Sequence, residues 1–386
     1  MKFLHLSDLH IGKSVNGFSM IAEQENAFRQ ILGYITTESP TAVIIAGDIY
    51  DRAIPSVEAV RLFDDFLTEL AHEEIAVLLI SGNHDSPERL GYASRLLLDK
   101  QLHLCGSFAG SPRKVILTDE HGEVNFWLLP FIKPTSMRVL SGEQEIESYD
   151  DAIAAALGAA NVDYTARNVL VSHQFYTKAG ISPIRSESEL NPIGGLDAVD
   201  AGIIERFDYA ALGHLHGRQS AGEEHIHYCG SPIKYSFSEW KQKKSITLVA
   251  LGEKGNLSTK TLPLTPLHDM REIKGEIDKL MRDEVACLAD KEDYLRVVLT
   301  DEEEIIDPIG KLRSVYPNMM SLGFENSRTK SRANTDMDAI MIASEAVEKL
   351  SIYELFGEFF LETQGSTMSE GQSEIVRELL ERSGEE

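Results

Sequence analysis

Short apolar runs alternate with longer amphipathic stretches from the first residues to about residue 250. Phe3–Leu6, Val43–Ala46, Val77–Ile80, Val169–Val171 and Ala210–Leu212 are brief, partly β-branched and bounded by turn residues, which predicts buried strands. Between the first two, the stretch Met20–Ser39 puts Ile21, Phe28, Ile31, Leu32 and Ile35 on one helical face. Between the second and third, Pro55 and Ser56 open another helix, in which Val60, Phe63, Leu67 and Leu70 keep helical spacing. Strand–helix–strand alternation of this kind predicts an α/β layered fold. Asn125–Leu129, His225–Cys229 and Ile246–Leu251 add strands without long helices between them, so a mixed or doubled sheet flanked by helices is expected.

The texture changes at Leu262–Pro266, where two prolines mark a connector, and the first domain is expected to span 1–265. Residues 266–326 carry an amphipathic helix (Ile273–Met281), a strand (Tyr294–Leu299), the acidic run Asp301–Glu304 and a second strand (Met319–Phe324), a small α+β domain. A polar linker, 327–349, holds Arg328, Lys330 and Arg332. In the tail, 350–386, Ile352, Leu355, Phe356, Phe359 and Phe360 follow helical spacing; Gln364–Gly365 breaks it, Thr367 and Glu370 suit a capping box, and Ile375, Val376, Leu379 and Leu380 resume it. Two short amphipathic helices have too little surface to bury both apolar faces against each other. They dock back on the main domain or seat in a partner's groove, and the residues alone leave both readings open.

Length and composition narrow the classes. A chain of 386 residues has room for two to three domains and a full core. No run approaches the roughly 18 apolar residues of a membrane span, and Met1–Asp8 turns polar too early for a signal peptide. Cys105, Cys229 and Cys287 are odd in number and widely spaced, which argues against a disulfide framework and fits a reducing cytoplasm. The net charge, 37 − 62 = −25, should repel nucleic acid over most of the surface. A phosphate polymer would then be held only where metal ions or a basic partner supply positive charge.

The chemistry-bearing residues recur just after the strands. Leu6 leads to Asp8 and His10, Ala46 to Asp48, Ile80 to Asn83 and His84, Val171 to His173, and Leu212 to His214 and His216. Sites in layered α/β proteins form at the carboxyl ends of strands, so these residues are expected at one rim. Aspartates, histidines and an asparagine without thiolate suit Mn²⁺, Fe or Zn²⁺ better than an all-oxygen Ca²⁺ cage. Asp8, His10, Asp48, Asn83, His173, His214 and His216 are too many for one tetrahedral ion and suit two ions sharing one carboxylate, the pair that clamps both oxygens of a phosphoester displacement. Singly, Asp-x-His and Gly-Asp are ordinarily surface, cap or turn features; their repetition at the same place after each strand carries the inference.

The remaining histidines read differently. His5 is expected as a half-buried strand position, His72, His103, His121 and His268 as solvated, and His225 and His227 as structural. Trp240–Lys244, aromatic and basic, suits either a phosphate-backbone contact or an exposed hairpin.

The order D-x-H, G-D-x-x-D, G-N-H-D, S-H and G-H-x-H resembles the calcineurin-like metallophosphoesterase superfamily. The segments SDLHIGK (7–13), AGDIYDRAIPS (46–56), SGNHDSPERL (81–90), VSHQF (171–175), ALGHLH (211–216) and GSPIKYSFSE (230–239) resemble, nearly end to end, the SbcD family, nuclease subunits of the bacterial SbcCD DNA-repair complexes. That resemblance implies a metallophosphoesterase core, a capping domain at 266–326 and a tail at 350–386 that binds an SbcC-like ATPase. It also implies two divalent ions, most often Mn²⁺, one held by Asp8, His10, Asp48 and His216 and the other by Asp48, Asn83, His173 and His214. His84 would assist departure of the leaving oxygen as a catalytic residue. Asp51 either orients His84 or is a turn carboxylate paired with Arg52. Cys229 stands where the family is expected to carry Ser, and reads as a buried cysteine. The implied activity is exonuclease on duplex ends and endonuclease on hairpins or single strands, in a homodimer within a heterotetramer, away from any membrane. The rivals are a phosphoesterase acting on phosphoproteins or cyclic nucleotides, which Ala53 after Asp51-Arg52 disfavours, and a non-catalytic scaffold, which the complete ligand set disfavours.

Overall fold

The computed structural model describes residues 1–142, 145–178, 183–189 and 197–326, and further on 353, 356–357, 360, 368–369, 371–373 and 375–376. In chain order the elements are β1 (Lys2–Leu6), the ribbon β2 and β3 (Ser14–Val15, Phe18–Ser19), α1 (Ile21–Glu38), β4 (Ala42–Ala46), α2 (Val57–His72), β5 (Ala76–Ile80), α3 (Pro87–Leu90) and β6 (Leu102–Cys105). Then come β7 (Arg113–Asp119), β8 (Gly122–Leu129), α4 (Pro134–Ser141), α5 (Tyr149–Ala160), β9 (Arg167–Ser172), β10 (Phe175–Thr177), β11 (Ala198–Asp200) and β12 (Tyr209–Leu212). The remainder is β13 (Gln219–Ala221), β14 (Glu223–Tyr228), β15 (Ser245–Leu251), β16 (Leu257–Pro263), β17 (Met270–Gly275), α6 (Ile277–Leu280), α7 (Asp283–Ala286), β18 (Tyr294–Leu299), α8 (Pro308–Arg313) and β19 (Met319–Phe324).

Two six-stranded sheets carry the site, ordered β16-β15-β1-β4-β5-β6 and β13-β14-β12-β9-β8-β7. Side chains alternate across each strand, so each sheet has two buried faces. Phe3, Ile44 and Leu78 of the first sheet meet Phe126, Val169 and Tyr209 of the second in a shared interior. On the other face of the first sheet, Leu4, Val43 and Val77 pack under Phe28 and Ile31 of α1 and Phe63 and Phe66 of α2; the Phe28 and Phe66 rings stack at 4.4 Å. Leu170, Ala210 and Ile226 of the second sheet pack against Ile153 and Ala156 of α5. The result is helix, sheet, sheet, helix: the α/β layering expected from the chain, with the sheet doubled.

β1, β4, β5 and β6 run parallel, and so do β8, β9, β12 and β14. Their carboxyl ends therefore meet at a common rim. Backbone bonds fasten that rim: Asp8 N–H to Gly47 O (3.1 Å), His10 N–H to Asp48 O (2.9 Å) and Gly213 N–H to Ser172 O (3.1 Å).

The chain divides into two compact units. One comprises Met1–Ile273, Met281–Val297 and Ile309–Leu322, the other Lys274–Leu280, Val298–Pro308 and Gly323–Glu386. Within the second, Thr300 N–H bonds Gly275 O (3.1 Å) and Glu325 N–H bonds Leu299 O (2.8 Å), while the Asp301 carboxylate accepts from Ile277 N–H (3.0 Å). The helix expected over Ile273–Met281 is instead the end of β17 followed by the single turn α6. Gly275, about 1 kcal/mol worse than Ala inside a helix, lies in that window. In the tail, Phe356, Phe360, Ile375 and Val376 are helical. The linker 327–349, Ile352, Leu355, Phe359, Gln364, Gly365, Thr367, Glu370, Leu379 and Leu380 lie outside the described residues.

Candidate metal centre

All nine residues singled out in the sequence fall at the rim. Asp8, His10, Asp48, His173, His214 and His216 are buried, and Asn83, His84 and Asp51 half-buried. The backbone is bent to present them: Asp8, His10, Asp48 and His214 have φ of 52°, 41°, 50° and 94°, the left-handed region that side chains normally avoid and that clusters at functional sites. The packing is tight enough that some neighbours must be glycine. A Cβ on Gly82 would sit 2.1 Å from Asp48 Oδ1, and one on Gly213 would sit 2.0 Å from Ala46 O and 2.6 Å from His173 Nδ1.

The donor atoms converge. Asp8, His10 and His216, then His10, Asp48 and His84, then Asp8, Asp48 and His173 each bring one ligand atom apiece within 4.8 Å of the others. His10 Nε2 faces His216 Nε2 at 3.0 Å and lies 3.6 Å from Asp48 Oδ2. His173 Nε2 is 3.2 Å from the same Asp48 oxygen and 3.1 Å from Asn83 Oδ1. His214 Nδ1 is 3.2 Å from Asn83 Oδ1, and its backbone N–H donates to Asp8 Oδ1 (2.9 Å) across the two sheets. Asp48 thus stands between the Asp8–His10–His216 group and the Asn83–His173–His214 group.

His84 belongs to this cluster by distance, yet its Nδ1–H is engaged by the backbone carbonyl of Asp51 (3.0 Å), which leaves Nε2 available. The Asp51 carboxylate reaches Lys13 (2.6 Å) and Arg52 (3.7 Å) instead. The half-buried Asp51 side chain thus pairs mainly with Lys13 rather than Arg52, and the contact to His84 comes from its main chain.

The electrostatics of the site suit a cation. Burial pushes the Asp8 carboxyl up and the His10 imidazole well below its usual range. Burial lowers His214 to about 3. For His173 burial opposes protonation, but the Asp48 carboxylate outweighs it and pushes the ring up to about 9. Among the described residues, His10 Nδ1 and His214 Nε2 are buried with no hydrogen-bond partner. Two imidazole nitrogens face to face, two buried carboxylates, orphaned ring nitrogens and a mixed O/N donor set together fit a divalent-metal site.

Residues that sequence reading passes over complete the rim. Asp85 accepts from Ile49 N–H (3.1 Å), Tyr50 N–H (3.0 Å) and Gly82 N–H (2.9 Å), tying the Asp48 loop to the Asn83 loop. Its carboxyl is pushed up to about 6 by burial and by Asp48. Gln24 Nε2 donates to His10 O (2.7 Å). Lys244, expected in an exposed hairpin or a phosphate contact, is buried, and with Glu239 it lies behind His216. His5 is fully buried rather than half-buried, bonding Tyr209 (2.9 Å), and His268 is drawn in by Glu23 (2.8 Å). Cys229 is buried as expected, its thiol donating to His5 O (2.8 Å).

A doubled sheet with aspartate, asparagine and histidine donors at the ends of its parallel strands is the architecture of a metallophosphoesterase. Residues 1–218 match the calcineurin-like phosphoesterase model, and residues 266–364 match the model described as type 5 capsule protein repressor C-terminal domain. An SbcCD nuclease protein of the SbcD type from Staphylococcus epidermidis is 30% identical, across 98% of this chain and 98% of its own. Among solved structures, a dimetal phosphatase from Danio rerio aligns over 69% of this chain and 97% of its own at 12% identity and TM-score 0.40. A phosphopantetheinyl hydrolase from Mycobacterium tuberculosis aligns over 60% of this chain and 90% of its own at 16% identity and TM-score 0.34. The chain belongs to the SbcD family of calcineurin-like phosphoesterases.

Proposed function

We propose that this chain is the nuclease component of an SbcCD-type complex, hydrolysing DNA phosphodiester bonds as an exonuclease on duplex ends and an endonuclease on hairpins and single strands. The observation that carries the proposal is the convergence of Asp48 with six other O and N donor residues from the two sheets. Asp8, His10, Asp48 and His216 would hold one divalent ion and Asp48, Asn83, His173 and His214 a second, most suitably Mn²⁺. Bound there, such ions supply Lewis acidity at the phosphate and a nucleophilic water at neutral pH. His84, its Nδ1–H held by the Asp51 carbonyl, would act as the imidazolium, whose Nε2–H gives its proton to the leaving oxygen. Beside Tyr235 an open groove of about 340 Å³ includes Lys13, Asn16 and Arg296, donors of the kind that position a phosphate backbone.

The division of labour we infer is a nuclease domain at 1–265, a capping domain at 266–326, a linker at 327–349 and a partner-binding tail at 350–386. A net charge of −25 disfavours tracking along a duplex, which supports a basic ATPase partner of the SbcC kind. A homodimer is supported by apolar side chains left in water around α2 and after α3: Ile54, Val57, Tyr92 and Leu96 are 70%, 67%, 82% and 80% exposed. No helix among the described residues is long and apolar enough to cross a membrane.

The test is a Mn²⁺-dependent assay of the purified chain on hairpin DNA, beside a generic phosphodiester and a phosphopeptide. Cleavage of the hairpin and the diester with an inert phosphopeptide is expected. Turnover of the phosphopeptide alone would move the chain to the phosphatases. Replacing Phe356 and Phe359 by Asp should abolish co-purification with the ATPase while short single strands are still cut; loss of both would mean that the tail packs on its own chain.

A further inference from the structure

His216 is held differently from the other five buried members of the cluster. Its backbone N–H donates to Glu189 Oε1 (2.7 Å) and its carbonyl accepts from Lys244 Nζ (2.9 Å). Its ring Nδ1 lies 2.7 Å from Ser188 Oγ, and Ser188 Oγ lies 2.5 Å from Glu239 Oε1. Glu239 is fully buried and its other oxygen is 2.6 Å from Lys244 Nζ. One buried ion pair therefore touches His216 at both ends, Lys244 at the main chain and Glu239 at the ring, the latter also directly at 3.4 Å.

The direction of the hydrogen bonds follows from the donor inventory. A carboxylate paired with a lysine can only accept, so the Ser188 hydroxyl must give its single proton to Glu239. The Ser188 oxygen then has only lone pairs left for His216, and Nδ1 must carry the ring proton. Nε2, the nitrogen that faces His10 and the Asp8 group, is left bare. The opposite tautomer would turn the Ser188 O–H toward His216 Nδ1 and set the lone pairs of its oxygen against the Glu239 carboxylate at 2.5 Å.

We propose that Glu239 and Lys244 are positioning residues of the metal centre: through Ser188, Glu239 fixes the His216 proton on Nδ1, and Lys244 pins the His216 carbonyl, so that Nε2 is presented to a divalent cation as a free lone pair. This rests on the reading of His216 as a metal ligand. Partners of this kind tune ligand basicity, and their loss typically costs 10–100-fold in metal affinity.

The experiment uses the full chain labelled with ¹⁵N-histidine. In the metal-free protein, long-range ¹H–¹⁵N correlation reads the His216 tautomer, assigned by comparison with His216→Gln; calorimetric titration with Mn²⁺ reads stoichiometry and affinity. Wild type should show the Nδ1–H form and take up two ions. Glu239→Gln, whose amide also donates, should mix the tautomers and weaken one ion by roughly 10–100-fold while the other binds as before. Because Glu239→Gln leaves Lys244 buried and unpaired, Glu239→Gln with Lys244→Met is made alongside, as is Ser188→Ala, which cuts the relay without touching a charge. All three should show the same tautomer mixing and the same one-ion loss. A pure Nδ1–H signal with two ions at wild-type affinity in any folded member of the set overturns the proposal. Wild type that takes up no Mn²⁺ overturns the metal-ligand reading, and with it this one; wild type and variants that take up two ions alike overturn this one alone.

Discussion

The ring of His84 is fixed by the main chain of Asp51 and not by its carboxylate: Nδ1 to the carbonyl oxygen is 3.0 Å, while Oδ1 is turned to Lys13 at 2.6 Å. His84→Gln should therefore bind Mn²⁺ normally and lose on the order of 10²–10⁴ in rate. Asp51→Asn keeps the carbonyl and should cost less than tenfold, about one order of magnitude at most. Single-turnover rates on a hairpin substrate, with metal content measured on the same samples, separate the two. Loss of metal in His84→Gln would put the ring in the coordination shell.

Asp48 is the carboxylate between the two donor groups. Asp48→Ala should lose both ions, whereas Asp8→Ala or Asn83→Ala should weaken mainly one, as elemental analysis after Mn²⁺ loading would register. Since Asp48 keeps His173 protonated to about pH 9 in the metal-free protein, uptake at pH 7 should release a proton and tighten as the pH rises toward 9. Two ions retained by Asp48→Ala would remove its bridging role.

Gly213 has no room for a side chain, because a Cβ would overlap Ala46 O at 2.0 Å. Gly213→Ala should push the His214 loop off the β4 end, break the bond between His173 Nδ1 and Ala46 O (2.7 Å) and lower metal affinity before it lowers secondary-structure content. Gly33→Ala, with open space at its Cβ position on α1, is the control, and should raise stability by about 0.5–1 kcal/mol. Metal titration and thermal melts of both variants check this.

Far from the site, Arg167 grips both oxygens of Asp119 at 2.6 and 3.0 Å, and the Met1 amine adds a contact at 2.7 Å. Arg167 holds the Asp119 carboxyl below the usual carboxylate range. A depressed folded value means stability that is present above the ordinary carboxylate pKa of about 4 and fades as pH falls through it. Asp119→Asn should melt earlier than wild type at pH 7, with the gap closing below about pH 4. A gap independent of pH would assign the loss to packing instead.

The donor cluster is legible in the sequence because each of its members follows an apolar run by a few residues, so recognising the strand and recognising the cluster are one operation. The two core helices are legible from their apolar stripes. Glu239 and Lys244 are not: the stretch Ser236–Lys244 is polar, and polar segments read as surface unless their partners are known. Those partners, Ser188 and His216, lie 51 and 28 residues away from them. The same reason hides Glu23, whose carboxylate is buried by the 267–268 turn of the connector more than 240 residues on. β7 gives little signal because it is an edge strand with charged ends in which only Val115 of seven residues is buried. Ile273–Met281 reads as a helix because helical spacing over one window does not register the ladder that takes its first half.

The neighbours of β1 have a bearing on how the chain is made. On one side β1 pairs with β4, beginning at Phe3 with Ala42; on the other it pairs with β15, beginning at Lys2 with Ala250. A ribosome therefore releases Asp8, His10 and Asp48 early, while the strand that closes β1, the relay at Glu239 and Lys244, and His214 and His216 themselves arrive some two hundred residues later. Such distant pairings are slow and late to form. Nascent chains carry the first acidic donors without their partners, and the donor cluster is complete only when translation has passed His216, with β1 closed on its far side only after β15.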